Sequence, residues 1–567
     1  SSSTAAASAS PAGSGGSAAT PGAMSGETPW YVDKAPGPPQ SGGMLNYLLY
    51  EDPDSLNPLI GQTSIAVQVS TAILEPLAET LPDGSWSPRL AAEIPTQDNG
   101  GISADLKTVT WKLRPNVLWH DGQPFTSDDV KFTWEAATNT AGGSAVASTY
   151  EKIAGIETPD DLTVVVTYNE FNVAFVDQFP WILPRHATGD VANMKDWKFN
   201  RAPVGTGPFK FQEWQAADHV TTVKNDKYWQ EGKPYLDGIN FLVVPSEESR
   251  VARMLQGDAQ VMLWPGDDTD AQFEKSDKAK IRSAPGIWVL QVHFNLSKPF
   301  DNDPGPTPPH PILGDIRVRQ AIAMGIDRER ITKQVLTNVA SIDSVLDVGW
   351  IKAKVKPFEY DPEGAKKLLE EAGWVDNGGT RVAKGAKYAP DGTKLELAMN
   401  GYTSFKPIEL GELAIQEDLG KLGFKITTQN QDFAIIFGTW ADKAPRLLGD
   451  FDTLFYDSGF FIEPQDSIRA RFHPSQVPSA ENPSGANIYR WVREDVGKWI
   501  DEAGATPDRE KRRAAYQKVA EAMREDIPNL PVAQFGEGSA YATNMHGFAV
   551  STWEYSTWDA MNWWLES

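Results

Sequence analysis

Apolar and polar positions follow two different periods along residues 106–135. Residues 108–114 alternate at every position, which is the period of a half-buried strand. A turn that contains Gly follows, and from residue 126 apolar side chains recur every three or four positions, as on the buried face of a helix. Thr126, with Asp129 three residues later, resembles a capping box for the first turn of that helix. The pattern therefore predicts a strand, a tight turn and a helix in succession.

The same two periods continue through the rest of the chain and predict an α/β protein. Strands are predicted at residues 44–50, 162–168, 260–264, 286–296, 394–399, 424–428, 452–456 and 530–534. Helices are predicted at residues 65–78, 247–256, 317–336, 362–373, 407–422 and 506–526. The succession of strand, helix and strand around residues 247–256 predicts one parallel crossover unit.

Residues 1–41 have a different composition, rich in Ser, Ala, Gly, Pro and Thr, with no Lys or Arg before Lys34. We expect a flexible tether, because such a segment buries too little apolar surface to offset its ordering entropy. It lacks the basic and apolar parts of a signal peptide. One interpretation is the stalk of an exported protein that is lipid-anchored through an acylated cysteine upstream of Ser1. The alternative is a disordered tail without a function.

Composition narrows the function. The chain has 567 residues, which predicts two or more lobes, and its 52 basic against 76 acidic residues give a net charge of −24. This charge repels nucleic acid and anionic membranes, so neither is an expected partner. The absence of cysteine excludes disulfides and thiolate metal sites. No apolar run approaches the roughly 18 residues that span a bilayer.

The His120-Asp121-Gly122 turn is the first place where catalysis could be sought. A His-Asp pair can act as a general base, but it needs a third orienting group, and the sequence does not supply one. Neighbouring residues at a Gly turn more commonly hold the turn together. We therefore interpret His120 and Asp121 as structural, and the chain contains no metal-binding H-E-x-x-H motif.

The segment HDGQPFTSDDVKFT, residues 120–133, resembles the most recognisable motif of the family-5 extracellular solute-binding proteins of ABC transporters. These are the peptide, nickel and oligopeptide receptors. Five more blocks resemble that family in the same order, and together they extend the resemblance from about Met44 to the end of the chain. The blocks occupy residues 75–95, 204–214, 227–239, 315–331 and 360–374.

The resemblance implies a two-lobed periplasmic-binding-protein fold of the class II type with an additional third domain. Two crossing strands near Gln291 and Leu530 would be the hinges. The implied division of the chain is a tether at 1–41, lobe I at 42–75, 204–290 and 531–567, the extra domain at 76–203, and lobe II at 291–530.

The implied mechanism is lobe closure over a captured solute, followed by recognition of the closed form by a membrane permease. This mechanism requires no catalytic residue and no cofactor. We expect a monomer in the periplasm or on the extracellular face of the cytoplasmic membrane. The tether would be its only association with the membrane.

Family contacts carried over to this sequence predict a set of ligand-binding residues, although each could equally be a packing residue. The set is Gln62, Thr63, Ser64, Tyr150, Gln291, Phe455, Tyr456, Asp457, Phe460 and Phe461. The tryptophans Trp264, Trp288 and Trp440, together with Trp86, are predicted as stacking platforms.

One departure from the family pattern leaves the ligand open. Peptide receptors of this family carry an Asp just before a Glu-Pro pair, where it binds the α-ammonium group of the ligand. Here Phe460 or Phe461 stands at that place before Glu463-Pro464, and Asp457 is the nearest substitute. A peptide is the first expectation and an oligosaccharide the second. A metal chelate and a secreted glycoside hydrolase rank lower, because histidine is scarce and no acid pair is singled out.

Overall fold

The computed structural model describes residues 37–566, except residues 62, 267–268, 298–307, 337–338 and 404. Most of the predicted tether, residues 1–36, and the predicted contact Gln62 therefore lie outside the described residues. Within the described part, no helix combines the length and the apolar composition needed to cross a membrane.

A continuous sheet of eleven strands runs through the molecule in the order β16-β15-β17-β11-β18-β10-β1-β9-β8-β7, with β12 added beside β18. Its strands are β1 Met44–Leu49, β7 Phe209–Gln215, β8 His219–Lys224, β9 Gly238–Val243, β10 Val261–Leu263, β11 Ala279–Phe294, β12 Val339–Ala340, β15 Glu396–Asn400, β16 Lys425–Thr428, β17 Thr453–Gly459 and β18 Asn529–Ala542. The smaller sheets contain β2 Ala78–Thr80 with β3 Trp86–Pro88, β4 Thr108–Lys112 with β5 Ile153–Asp160 and β6 Thr163–Tyr168, β13 Trp374–Val375 with β14 Val382–Ala383, and β19 Met545–His546 with β20 Trp564–Leu565.

Several helices contact strands of this sheet. The α-helices are α1 Ser64–Thr71, α2 Ser127–Ala137, α3 Glu247–Gln256, α4 Asp270–Glu274, α5 Ile316–Gly325, α6 Arg328–Arg330, α7 Pro362–Glu371, α8 Lys406–Gly420, α9 Phe433–Ile436, α10 Pro445–Leu448, α11 Gln465–Phe472, α12 Glu494–Gly504 and α13 Arg509–Asp526. Shorter 3-10 segments occupy Ala147–Tyr150, Phe175–Gln178, Arg185–Ala187, Val191–Asp196, Lys198–Asn200, Pro474–Gln476 and Ala560–Asn562, and a π-turn occupies Ile331–Val335.

The predicted crossover unit is confirmed. β9 and β10 both pair with β1 in parallel, and α3 connects them. Ser246 caps α3 by accepting a hydrogen bond from the Ser249 backbone, and Gly257 ends the helix at φ +85°. The predicted capping box of α2 is also present, since Thr126 and Asp129 exchange hydrogen bonds as the motif requires.

The two larger hydrophobic cores include residues from opposite ends of the long strand β18, and a smaller third core packs around α3. The first core is built from residues between 45 and 263 and between 541 and 563, and we call this part lobe I. The second core is built from residues between 289 and 533, and we call it lobe II. The sheet β4-β6-β5, which falls in the predicted extra domain, contributes its apolar side chains to the first of these cores.

β11 and β18 cross between the lobes as an antiparallel pair, and their register shifts between Pro285 and Val289. On one side of the shift β18 pairs with β10, and on the other side β11 pairs with β17. The crossing strands predicted near Gln291 and Leu530 are present, and a second register shift lies between Leu290 and Gln291. Gln291 is buried there, and its amide donates to Ser458 Oγ at 2.6 Å.

One predicted helix is divided in the structure. Residues 317–336 were expected to form a single helix, but α5 ends at Gly325. A Cβ at Gly325 would lie 2.3 Å from the Leu422 side chain, so this position lies against a neighbouring segment. Asp327 then starts α6 by accepting a hydrogen bond from the Arg330 backbone. The helical period of apolar residues continues through Gly325, so the sequence pattern gave no sign that the helix ends there.

Candidate ligand-binding cleft

In both lobes a pair of parallel strands lies beside the crossing strands, because β10 pairs with β18 and β17 pairs with β11. In lobe I, Tyr50 and Trp264 directly follow the carboxyl ends of β1 and β10, and in lobe II, β15 and β17 lead to Tyr402 and Phe460. Ligands of open α/β sheets bind at such carboxyl ends. Both sides reach β18 directly, through Trp264 in lobe I and through the contact between the Phe405 and Phe535 rings in lobe II. We therefore place the candidate cleft here.

The lobe I wall is centred on Trp264. Its side chain is 44% exposed, and its backbone has φ +45°, in the left-handed region that a bulky residue rarely adopts. The Trp264 backbone N–H donates to the Gly538 carbonyl at 3.2 Å, and the ring lies 6.1 Å from that of Tyr50. The indole also bonds to Glu537, and burial raises the pKa of the Glu537 carboxyl. A strained, exposed aromatic ring beside a carboxylate is a feature of functional sites.

The lobe II wall is a group of aromatic rings around Tyr402. Phe405 stacks on Tyr402 at 5.9 Å, and Phe433 and Phe437 meet it edge-on at 5.4 and 6.1 Å. The Tyr402 hydroxyl donates to Asp457 Oδ1 at 2.6 Å. Phe433 is 57% exposed, which is unusual for a large apolar ring. This wall therefore offers ring faces and one carboxylate.

Several predicted site residues take part in these walls or lie close to them. Trp264 and Asp457 belong to the two walls, and Ser64 shares a contact of 3.2 Å with the Tyr50 hydroxyl. Trp288 is 41% exposed and lies at the register shift of β11, and Phe461 is 69% exposed just after β17.

Other predicted residues are packing or capping residues. Tyr150 is 2% exposed, with its ring 5.7 Å from that of Phe179, so it belongs to the core of lobe I and does not point into the cleft as expected. Phe455 is fully buried because its position on β17 faces α8. Phe460 is 2% exposed. Thr63 caps α1 by accepting a hydrogen bond from the Ala66 backbone at 3.2 Å.

Three further residues of the predicted site are mainly packed inside lobe II. The Gln291 side chain is buried among polar groups of lobe II, where it also accepts a hydrogen bond from Asn529. The Tyr456 ring is buried and stacks on His293 at 4.0 Å. Trp440 is partly buried against the core of lobe II. The sequence prediction did not include the wall residues Tyr50, Tyr402, Phe433 and Glu537. Tyr50 ends the predicted strand 44–50 and Tyr402 stands three positions after the predicted strand 394–399, so their positions near strand ends were a signal that could have found them.

The lobes also touch outside the crossing strands. The guanidinium carbon of Arg509, on α13 in lobe II, lies 3.4 Å from the ring centre of Trp86, and its Nη1 donates to the Gly84 carbonyl at 2.5 Å. Lys152 Nζ lies 3.0 Å from a carboxylate oxygen of Asp466. Trp86, predicted as a stacking platform for a sugar, therefore stacks on an arginine of the other lobe.

Two buried carboxyl side chains, Glu79 and Glu554, lie close to β2 in lobe I. The Glu79 carboxylate lies 3.3 Å from Arg89, and Glu554 accepts a hydrogen bond from the Thr80 backbone at 2.8 Å. Burial raises the pKa of Glu79 to about 7 and that of Glu554 to about 8. The folded protein therefore holds protons here that the unfolded chain releases at lower pH.

This group predicts a pH dependence of stability. Acids with raised pKa values stabilise the fold fully below the unfolded pKa, and the contribution is lost as pH rises through the folded pKa. We expect Tm to fall between pH 5 and pH 8.5, as measured by differential scanning calorimetry. Glu554→Gln keeps the acceptor for Thr80 and should flatten that fall, whereas Glu329→Gln, at an exposed position, should not. An unchanged slope in Glu554→Gln would contradict the assignment.

Among the described residues, no group of three or more His, Cys, Asp or Glu side chains is arranged to hold a metal ion.

Comparison with known proteins agrees with this geometry. The profile of the bacterial extracellular solute-binding proteins, family 5 Middle, matches residues 85–478. The oligopeptide-binding protein AppA of Bacillus subtilis is 27% identical over 547 residues, covering 94% of this chain and 93% of AppA. A putative ABC transporter peptide-binding protein of Brucella ovis is 28% identical over 465 residues, covering 81% of this chain and 80% of that protein.

Solved structures show the same fold. The structure of AppA from B. subtilis in complex with a nonapeptide gives a TM-score of 0.60 at 25% identity, covering 94% of this chain and all of that one. HbpA2 from Haemophilus parasuis gives a TM-score of 0.76 at 20% identity, covering 93% of this chain and all of that one. The predicted two-lobed fold is confirmed. Because the family profile covers more than half of its length, the chain belongs to the bacterial extracellular solute-binding proteins of family 5.

Proposed function

We propose that this protein is the extracytoplasmic receptor of an ABC importer and that it captures a peptide between its lobes for delivery to a membrane permease. The observation that carries the proposal is the pair of aromatic walls at the carboxyl ends of parallel strands, joined by two crossing strands. Backbone-rich clefts with aromatic side chains and a few placed polar groups suit such ligands. The peptide ligands named for AppA support this ligand class.

The carboxylates of the two walls replace the missing family Asp in this proposal. Asp457 stands on the lobe II wall with Tyr402 as its donor, and Glu537 stands on the lobe I side beside Trp264. A carboxylate in a cleft that excludes water can bind an α-ammonium group strongly. Phe460 is buried and cannot take that role, whereas the exposed Phe461 can contact the ligand. The proposal assigns no chemical step to the cleft.

An oligosaccharide is the second candidate. The exposed rings of Trp264 and Trp288 favour it, because sugar rings stack on such surfaces.

We further propose that the receptor acts as a monomer and is held at the membrane only through its N-terminal segment. The division into a tether at 1–41, an extra domain at 76–203, a discontinuous lobe I at 42–75, 204–290 and 531–567, and lobe II at 291–530 belongs to the same proposal. The two separate cores and the crossing strands support the two lobes of this division.

Ligand binding and the Trp264→Ala variant test the proposal together. Alanine peptides of two to nine residues should raise Tm of the wild-type protein by several degrees, because they bind the folded state only. Trp264→Ala should weaken peptide binding by about tenfold or more in isothermal titration calorimetry, since it removes a ring from the lobe I wall. Its own Tm should change little, because Trp264 is 44% exposed.

Tyr360→Ala is the matched control, since Tyr360 is 48% exposed and lies outside both walls. Maltooligosaccharides in the same assay test the second candidate. Stabilisation by sugars alone would replace the peptide with an oligosaccharide, and release of cleaved product from either ligand, seen by mass spectrometry, would contradict a receptor without chemistry.

A further inference from the structure

One contact between the lobes is centred on the side chain of Arg509, the first residue of α13 in lobe II. Its guanidinium carbon lies 3.4 Å from the ring centre of Trp86, on β3 of lobe I, and 5.0 Å from that of Trp350 in lobe II. Its Nη1 donates to the carbonyl of Gly84, which precedes β3. A side chain of lobe II is therefore bound by a ring and a backbone carbonyl of lobe I.

The backbones of the two lobes also meet closely at this place. A Cβ on Gly84 would lie 2.9 Å from the backbone nitrogen of Trp350, and a Cβ on Gly349 would lie 2.8 Å from the ring of Trp553 in lobe I. Closely packed atoms cannot move nearer to one another, so a movement of the lobes can only keep this contact or open it. The contact therefore stabilises the present arrangement against every arrangement in which the lobes lie further apart here.

The contact lies beside the lobe II wall of the cleft. Trp350 Nε1 donates to the carbonyl of Ile462 at 2.7 Å, and Ile462 directly follows Phe461, the 69% exposed residue beyond the end of β17. A few positions further on, Asp466 pairs with Lys152 of lobe I at 3.0 Å. A rotation about the crossing strands that opens this side of the cleft separates all of these groups.

Arg509 is held less firmly than a neighbouring arginine whose contacts stay within lobe II. Arg512, on the same helix, makes two hydrogen bonds to the buried Glu463 carboxylate. Only Nη1 of Arg509 is hydrogen-bonded, whereas its Nε and Nη2 are buried without a partner among the described residues. Stacking on an indole with one hydrogen bond gives a moderate stabilisation. Such a contact can bias an equilibrium between two arrangements and still open.

We propose that Arg509, Trp86 and Gly84 form a latch that holds the lobes closed over the captured solute without touching it. A solute that binds the closed form gains affinity from any interaction that favours this form. The latch therefore sets the affinity for all such solutes by a common factor, whatever their length. This assignment rests on the proposed capture of a solute by lobe closure, and Arg509 acts in it as a positioning residue.

The first test measures dissociation constants of the full chain by isothermal titration calorimetry, with alanine peptides of three, five and nine residues. Arg509→Gln removes the stacked charge and should weaken the binding of all three peptides by the same factor, roughly 3- to 30-fold. A residue in contact with the solute would change the three affinities by different factors. If Arg509→Gln fails to fold, Arg509→Lys, which keeps the charge but not the planar group, should show a smaller common loss.

Arg524→Gln is the matched control. Arg524 also belongs to α13, and its guanidinium carbon lies 3.8 Å from the ring centre of Phe358, but both residues belong to lobe II. This variant should bind the peptides as the wild type does. Trp86→Leu should weaken binding, and its combination with Arg509→Gln should weaken binding little further, because both changes remove the same contact.

The second test needs no ligand. The chain contains no cysteine, so Lys107→Cys in lobe I and Lys367→Cys in lobe II, both at exposed positions, carry the only two spin labels. Double electron–electron resonance measures the distribution of distances between them. In the ligand-free protein, Arg509→Gln should change this distribution, because it raises the population in which the lobes are separated. Arg524→Gln should leave it unchanged.

The possible failures have different meanings. Unchanged affinities with an unchanged distance distribution in Arg509→Gln would exclude the latch while leaving peptide capture in place. Tighter binding would also exclude it, since the contact would then favour the open form, and unequal losses for the three peptides would place Arg509 in contact with the solute. Absence of binding by every peptide to the wild type would exclude the proposed ligand, and the distance distributions would still decide whether Arg509 holds the lobes together.

Discussion

Glu463→Ala is expected to lower the free energy of unfolding by about 3–5 kcal/mol, because it leaves a buried guanidinium without its counter-charge. The side chains of Arg512 and Glu463 are 1% and 4% exposed, and Arg512 Nη1 donates to Glu463 Oε2 at 2.7 Å. A second bond joins Arg512 Nη2 to Oε1 of the same carboxylate. Urea denaturation followed by tryptophan fluorescence measures the loss.

An exposed pair and a double variant complete this test. Glu329 and Lys333 form an ion pair with side chains 73% and 69% exposed, so Glu329→Ala should change the free energy of unfolding by less than about 1 kcal/mol. Glu463→Leu combined with Arg512→Met should be more stable than Glu463→Ala, because no unpaired charge remains. A loss in Glu463→Ala as small as in Glu329→Ala would show that Arg512 finds another partner or reaches water.

Gly205→Ala is expected to destabilise the protein by more than about 3 kcal/mol or to prevent its folding, since overpacking against backbone cannot relax by a side-chain movement. A Cβ at Gly205 would lie 1.8 Å from the carbonyl oxygen of Ile73. Thermal unfolding by circular dichroism measures the loss.

Gly155→Ala is the matched control for this variant. Gly155 lies on β5, and a Cβ there would meet no atom within 4 Å, so Tm should stay within a few degrees of the wild type. Normal stability of Gly205→Ala would contradict this prediction, because it would mean that the backbone contact between Gly205 and Ile73 opens easily.

Gly205 also lies at the contact between two motifs that are far apart in the sequence, the His120-Asp121-Gly122 turn and the block at residues 204–214. His120 Nδ1 accepts a hydrogen bond from the Gly205 backbone at 3.0 Å, and its Nε2 lies 3.0 Å from the Gly207 carbonyl. Burial lowers the pKa of His120 to about 4, so a neutral ring donates to one backbone and accepts from the other. The structural interpretation of His120 agrees with this contact. Its partner was not visible in the sequence, because it lies 85 positions away.

The role of Glu463 in the Glu463-Pro464 pair was likewise not visible in the sequence. The sequence used it only as a reference point for locating the absent family Asp. In the structure Glu463 is the buried partner of Arg512, and it fixes the start of α11 against α13. The preceding phenylalanines then separate, with Phe460 buried and Phe461 69% exposed, and a sequence pattern of two adjacent aromatic residues cannot distinguish these two environments.

Local patterns determined most of the secondary structure of this protein. The periods of apolar residues located the strands β6, β16 and β17 and the helices α3 and α8, and the order of the motif blocks indicated the family. These features depend on neighbours within a few positions, where side-chain period and capping chemistry act directly. The net charge of −24 likewise excluded nucleic acid as an expected partner without any knowledge of the fold.

The tertiary structure alone decided which aromatic residues face the cleft. Tyr150 and Trp264 are both large aromatic residues near element ends, yet one is 2% and the other 44% exposed. The contact between Arg509 and Trp86 and the ion pair of Arg512 with Glu463 also depend on segments distant in sequence. Burial and charge compensation are properties of the whole packed chain, because they depend on what every other segment places around a side chain.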